Sequence, residues 1–168
     1  QPLLKQRDRD LIRSLGFDVR ALPGPASLLV TSGGAQVAVA VFLDESEAAE
    51  IGSERFGGLS PVFYAIAKAD EAQVGYVIVS GGAGLRLYTT TPGGGVGQRG
   101  RTETFAEVRL DLLRDDQAAY VWLLFSADAL RHGGSVNEIL DTSRRYAVGL
   151  ETRLRDRIYA DVVPRLAE

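Results

Sequence analysis

The chain opens with a helical pattern of apolar residues, which are Leu3, Leu4, Leu11, Ile12 and Leu15. Gly16 ends this pattern as a C-terminal cap would, so the spacing predicts a first helix. Apolar runs bounded by glycine and proline then predict three strands, at residues 17–22, 27–31 and 36–43. A glycine turn makes a hairpin of the last two strands, and this hairpin begins a sheet.

A second helix and a second set of strands follow. Ser60-Pro61 combines a capping hydroxyl with a proline suited to the first helical position, which predicts a helix from residue 60 to about 70. Residues 74–80 and 85–90 have the composition of a strand pair. Residues 104–110 alternate between polar and apolar positions, which indicates one further strand.

The last third of the chain has helical periodicity. Apolar residues between Ala118 and Phe125 predict a helix that ends at 132–134, and Ser135 is expected to cap a long final helix. Trp122 and Phe125 should be buried, because large aromatics on an apolar helical face usually anchor a core. The final helix carries one apolar stripe, expected to pack against its neighbour, of Val136, Ile139, Leu140, Ala147, Leu150, Leu154 and Ile158.

This order of elements predicts an α+β fold, with a mixed β-sheet flanked by the first two helices and followed by a C-terminal helical pair. We expect an α/β core at residues 1–112 and a helical extension at 113–168. Since the chain begins at Gln1 and stops inside a helical pattern, the extension is expected to lead to a downstream domain.

One long segment carries a family resemblance. Residues 61–88, PVFYAIAKADEAQVGYVIVSGGAGLRLY, resemble the amino-terminal domain of large restriction-modification proteins, and the likeness continues through 100–108 and 157–164. That family includes type IIG restriction enzymes and adenine methyltransferase proteins of phage defence. The resemblance implies that DNA is a partner, that a methyltransferase domain lies downstream, and that the parent protein uses S-adenosylmethionine, with Mg²⁺ as a second candidate cofactor. The methyltransferase cofactor loop and its Asn-Pro-Pro-Tyr-type motif do not occur here, so no cofactor is expected in this part.

The resemblance also implies a nuclease-like fold of the PD-(D/E)XK type, whose core order is helix, three strands, helix, strand. Its chemistry needs an Asp on the second strand and Glu-x-Lys on the third, to hold Mg²⁺ and orient water. Pro25-Ala26-Ser27 and Phe42-Leu43-Asp44 stand in those places, which predicts a degenerate nuclease. If the site is active, its ligands would be Asp44, Glu45 and Glu47; otherwise these form a solvated carboxylate cluster.

Three arginines are candidates for DNA contact. Arg86, Arg99 and Arg101 would lie at one end of the sheet if strands 85–90 and 104–110 pair, and arginine is a good bidentate ligand of phosphate. Ordinary solvated loop charge is the other interpretation. Residues 95–100 also satisfy G-x-G-x-x-G, but the following strand-like segment favours a hairpin loop over a dinucleotide site.

Composition narrows the function classes. The 168 residues have a net charge of −3 and contain no cysteine, which excludes disulfides, thiolate metal sites and a cysteine nucleophile within this chain. Apolar runs long enough for a membrane span are absent from the sequence, and a cytoplasmic setting is expected. The leading hypothesis is a non-catalytic domain for weak, sequence-independent DNA-backbone contact or interdomain packing. An active Mg²⁺-dependent endonuclease and a small sensor or protein-interaction domain without a DNA role are the alternatives.

Overall fold

The computed structural model of the chain describes residues 2–91 and 100–157. Its strands are β1 (Phe17–Ala21), β2 (Ala26–Thr31), β3 (Gln36–Phe42), β4 (Tyr76–Gly81), β5 (Gly84–Thr89) and β6 (Ala106–Arg109). Its helices are α1 (Asp8–Ser14), α2 (Pro61–Glu71), α3 (Ala118–Phe125), α4 (Ala127–Leu130) and α5 (Ser135–Arg157). Short 3₁₀ turns lie at Leu3–Lys5, Glu54–Phe56 and Asp115–Gln117.

The strands form one sheet in sequence order, from β1 at one edge to β6 at the other. Neighbours are antiparallel except β3 and β4, which are parallel, with Ala38 opposite Tyr76. Parallel strands need a crossover connection, and α2 supplies it. The prediction of an α+β fold with a mixed sheet is therefore confirmed, and the order helix, three strands, helix, strand is present.

Helices cover both faces of the sheet. One face packs against α1, α3, α4 and the first turn of α5, and the other against α2 and Phe56. Strands β2 and β3 are consequently buried on both sides, which explains their almost continuous apolar sequence. Side chains from both sides of the predicted boundary at residue 112, such as Leu11 and Phe125, belong to the same apolar cluster.

The two predicted amino-terminal helices have different outcomes. The cap of α2 is confirmed, because the Phe63 amide donates to Ser60 Oγ at 3.3 Å and Pro61 is the first helical residue. The first helix is shorter than predicted and follows a separate 3₁₀ turn. Arg7 between them is extended, and its guanidinium satisfies the carbonyls of Leu4 and Gln6 that a continuous helix would have bonded internally.

The carboxy-terminal helices correct three predictions. The helix expected from residue 118 is interrupted at Ser126, whose extended backbone and side-chain bond to the Ala129 amide begin α4. Ser135 lies inside α5 and donates to the Leu123 carbonyl at 2.6 Å, so it is not the cap. Phe125 is buried as predicted, but Trp122 is 45% exposed, because α3 is apolar on several sides and turns only one of them to the core.

The predicted packing of the α5 stripe holds only at its start. Val136 is buried and Leu140 packs against the core, whereas Ala147, Leu150 and Leu154 are exposed, because the helix continues past the edge of the domain. Ile158 lies outside the described residues. In the part of the chain that the structure describes, every helix is too short or too polar to cross a membrane.

Candidate functional site

The predicted metal ligands follow the end of β3, and one of them is fully engaged. Glu47 accepts hydrogen bonds from the Asp44 amide (2.9 Å), Ser53 Oγ (3.0 Å) and the Arg55 guanidinium, Nε at 3.0 Å. Its side chain is 8% exposed. The hydrogen bond from Arg55 is the main reason why the pKa of Glu47 falls to about 2. Glu47 is thus an ionised carboxylate whose oxygens are already bonded.

These carboxylates do not fit Mg²⁺. Asp44 Oδ2 lies 3.6 Å from Arg55 Nε, so the same arginine faces two of the three candidate ligands. Within residues 2–91 and 100–157, no group of three or more Asp, Glu, His or Cys side chains is arranged to hold a metal. No lysine stands on β3 either. The predicted solvated carboxylate cluster describes the exposed Asp44 but not Glu47, which is largely covered and bonded to Arg55.

Beside this cluster an open cleft of about 720 Å³ lies between the amino-terminal segment and the end of β3. Pro25 and Phe42 line this cleft. The resemblance to nucleases would put the catalytic residues at these positions. Five cations and three carboxylates are among the lining side chains. The charged lining residues are Lys5, Arg7, Asp8, Arg9, Asp10, Arg13, Asp44 and Arg55.

Three of these cations have no carboxylate within salt-bridge distance. Among the described residues, Lys5, Arg7 and Arg9 make no salt bridge within 4.0 Å. Arg7 Nη1 donates to the carbonyls of Leu4 and Gln6, both at 2.7 Å, which fixes the guanidinium without neutralising it. The Arg9 guanidinium lies over the Phe42 ring, 4.9 Å from its centroid. The cleft therefore holds a local positive charge in a protein whose net charge is negative.

Asp8 fixes the shape of the cleft floor. Its backbone has φ of 50°, a left-handed conformation that is uncommon outside glycine, although aspartate adopts it more readily than most residues. Its Oδ1 accepts a hydrogen bond of 3.0 Å from Ser80 Oγ on β4, and Ser80 is buried. The bond ties the start of α1 to the sheet and orients the neighbouring Arg7 and Arg9. Strained backbone of this kind often occurs at functional sites.

The cleft cations were not predicted from the sequence. The segment from Lys5 to Arg13 contains four cations, which could have indicated a binding site. Asp8 and Asp10 lie among them, so the charges of this segment look balanced in the sequence. Only the fold shows that Asp8 bonds to Ser80 instead of to a neighbouring arginine, while Asp10 reaches Arg13 at a long 3.5 Å.

The predicted DNA-contact arginines are occupied within the molecule. Arg86 pairs with Glu50 and with Glu107 (Nε to Oε1, 3.2 Å), and it stacks on Phe105 at 4.4 Å. Arg101 makes a bidentate pair with Asp70, at 2.8 and 3.0 Å. Both assignments stay predictions, although the carboxylates neutralise much of their charge.

The remaining loop predictions lie mostly outside the structure. Arg99 and the glycine motif up to residue 99 are outside the described residues. The motif leads into β6 rather than a helix, as the hairpin interpretation expected.

Comparison with known proteins adds no identification. The chain matches no protein-family model, no curated protein and no solved structure. Membership of the restriction-modification family consequently stays a prediction, and the cleft has to be interpreted from its own chemistry.

Proposed function

We propose that this chain is a non-catalytic, nuclease-like domain of a larger restriction-modification or DNA methyltransferase protein, and that it contacts the DNA backbone through the cleft. The single observation that carries this proposal is the unpaired state of Lys5, Arg7 and Arg9 in an open cleft. The resemblance of residues 61–88 to the amino-terminal domains of that family supplies the biological setting.

The cleft has the chemistry of a phosphate site. Arginine guanidinium groups match phosphate oxygens bidentately, and lysine adds a mobile point charge. Phosphate contacts position a protein without reading bases, so a cleft whose cations bind phosphate is expected to show no sequence preference. Binding by one such cleft is weak, and it serves to position a neighbouring domain on DNA.

The remaining activities of the proposed protein belong to other parts of it. A methyltransferase domain downstream would bind S-adenosylmethionine and flip the target adenine, as the resemblance implies. Any Mg²⁺ would act there or in a separate nuclease. The setting we propose is the cytoplasm, where such proteins meet invading DNA.

Salt dependence of DNA binding tests the cleft directly. Three phosphate contacts predict a log–log salt slope of about −2.7 for duplex DNA, and the Lys5→Ala, Arg9→Ala double variant should weaken that slope by about 1.8. The matched control is Arg114→Ala, Arg131→Ala, which removes two exposed cations that do not line the cleft. Fluorescence anisotropy at several salt concentrations gives the slopes. Equal slopes for the cleft and control variants would refute the cleft as the DNA contact.

The loop patch is the competing location for DNA contact. Arg99→Ala, Arg101→Ala should leave the slope unchanged if the cleft is the contact, because Asp70 already neutralises Arg101. A slope weakened by about two units in this variant, with the cleft variant unaffected, would move the contact to the loop.

The endonuclease alternative has its own assay. With Glu47 bonded to Arg55 and no lysine on β3 to orient water, supercoiled plasmid should stay intact with Mg²⁺ or Mn²⁺. Metal-dependent nicking that disappears on Asp44→Ala would establish the endonuclease instead.

The sensor alternative predicts an apolar cavity between the sheet and α2. The apolar cavity found, of about 120 Å³, lies on the opposite face, between β5, β6 and α5. It gives this alternative no specific support.

A further inference from the structure

The second half of α5 is a helix exposed on all sides. From residue 141 to 156 every side chain is exposed, and only Gly149 is partly covered. Residues 141–157 extend about 25 Å at 1.5 Å per residue. In proteins most helical stability comes from the packing of an apolar face, and a central glycine weakens this exposed segment further. A partner surface would therefore stabilise the segment.

The exposed segment has a seam. Leu140, Ser143, Ala147, Leu150 and Leu154 follow one another at steps of three and four residues, the spacing of a coiled coil. Leu150 is 49% exposed and Leu154 is 59% exposed. The seam continues the stripe that begins at the buried Val136, but here none of the described residues of the domain covers it.

We propose that α5 pairs in antiparallel orientation with α5 of a second copy of this chain. The order of side-chain sizes along the seam favours this partner. In a register centred between residues 148 and 149, Ser143 faces Leu154 of the second copy and Ala147 faces Leu150, so each large side chain meets a small one. A parallel pair would place Ser143 against Ser143 and Ala147 against Ala147, leaving gaps in the core.

In the same register, the residues beside the seam of one copy complement those of the second copy. On one side, Arg144 faces Glu151 of the second copy, and two-fold symmetry makes this pair twice. On the other side, Tyr146 faces Arg153, an arrangement suited to a cation–π contact. Arg144 is 3.9 Å from Asp141 within its own helix, a long separation that leaves it able to pair across the interface. Size and charge therefore select the same orientation.

Concentration-dependent sedimentation of the 168-residue chain tests for the dimer. The wild type should dimerise, and Leu150→Asn should weaken dimerisation at least about tenfold, since a polar group enters the seam. Thr152→Asn, on the opposite side of the helix, is the matched control and should match the wild type. A wild type that stays monomeric up to high concentration, or a dimer that Leu150→Asn leaves intact, overturns the proposal. Circular dichroism verifies that each variant is folded.

Charge reversal tests the orientation. Glu151→Arg should weaken dimerisation, because it places two arginines opposite each other twice. Arg144→Glu combined with Glu151→Arg should restore it. A double variant no tighter than the single one overturns the antiparallel register.

Engineered cysteines test the same register without relying on affinity, since the chain has no cysteine of its own. In the antiparallel pair two copies of Ser143→Cys lie about 16 Å apart along the axis, as do two copies of Leu154→Cys, too far for a disulfide. Oxidation of the mixed single variants should therefore yield the heterodisulfide and almost no homodisulfide. Efficient self-linking of either variant alone would indicate a parallel pair and overturn the proposal.

Discussion

Two groups of arginines in this molecule are paired differently, although their sequences look alike. Arg86 lies on β5 and Arg101 lies in the turn before β6, and both are held by carboxylates. Arg7 and Arg9, in the amino-terminal segment, have acidic neighbours in the sequence, but among the described residues they make no salt bridge within 4.0 Å. From this difference in pairing we propose that a cation serves binding only when its charge is left over after folding.

The comparison separates stability from recognition. A paired, partly buried arginine contributes to the free energy of unfolding, and its removal leaves carboxylates without a partner. An arginine fixed by backbone carbonyls or an aromatic ring keeps its full charge for a ligand. The two groups should therefore respond differently to substitution.

The largest expected effect is on the stability contributed by Arg86. Arg86→Ala should lower the free energy of unfolding by about 2 kcal/mol, because Glu50 and Glu107 lose their partner and Phe105 loses its stacking contact. Urea denaturation measures the loss. Lys5→Ala is the control and should cost less than about 0.5 kcal/mol, as an exposed side chain without an ion pair. Similar losses of unfolding free energy in Arg86→Ala and Lys5→Ala would contradict the distinction between paired and unpaired cations.

A smaller effect is expected from the Glu47–Arg55 pair, and it depends on pH. The pKa of Glu47 is lowered from 4.5 to about 2, so its contribution is complete above pH 4.5 and disappears as the pH falls toward 2. Glu47→Gln should cost about 1 kcal/mol at pH 7, discounted for the partial exposure of Arg55. The difference from the wild type should close by about pH 2. Thermal denaturation across this range checks it, and a constant difference would contradict the assignment.

The same substitution removes one of the two carboxylates that face Arg55. With Glu47→Gln, only Asp44 still compensates the charge of Arg55 at the cleft wall, and the salt slope of DNA binding should steepen by up to about 0.9. Anisotropy titrations give the slope. An unchanged slope would show that Arg55 points away from bound DNA.

The smallest expected effect belongs to Arg101. Arg101→Ala should cost less than about 1 kcal/mol, because the pair with Asp70 is partly solvent-exposed. Its effect on the salt slope should be undetectable. A slope weakened by about 0.9 would mean that DNA competes successfully with Asp70, and the comparison between the groups would fail.

The sequence predicted what depends on local signals. Ser60-Pro61 begins α2 because the cap and the proline act within four residues, and β3 was recognised because apolar β-branched residues form a run bounded by turns. The exposure of Trp122 could not be predicted, because several sides of α3 are apolar and only the neighbouring elements select one. The ion pairs of the arginines could not be predicted from the sequence either, since Glu50 and Arg86 are 36 residues apart in the chain.

In the candidate site, too, one part could be predicted from the sequence and another part could not. The missing Glu-x-Lys chemistry at the end of β3 was visible in the sequence, and the bonding of Glu47 to Arg55 agrees with it. The cleft itself was not visible, because the segment that carries Arg7 and the strand that ends at Phe42 meet only in three dimensions.

The single parallel pairing in the described sheet has a consequence for folding kinetics. β1 to β3 form one meander and β4 to β6 form another, and each can form through contacts close in sequence. The β3–β4 pairing joins Ala38 to Tyr76 and closes a loop of 38 residues. The entropic cost of closing this loop has to be met before the contacts between the two strands stabilise the chain. Substitutions in the β3–β4 pairing, such as Ile78→Val, should therefore act mainly on the unfolding rate if the two meanders dock after the folding transition state. They should act mainly on the folding rate if the docked meanders form the folding nucleus.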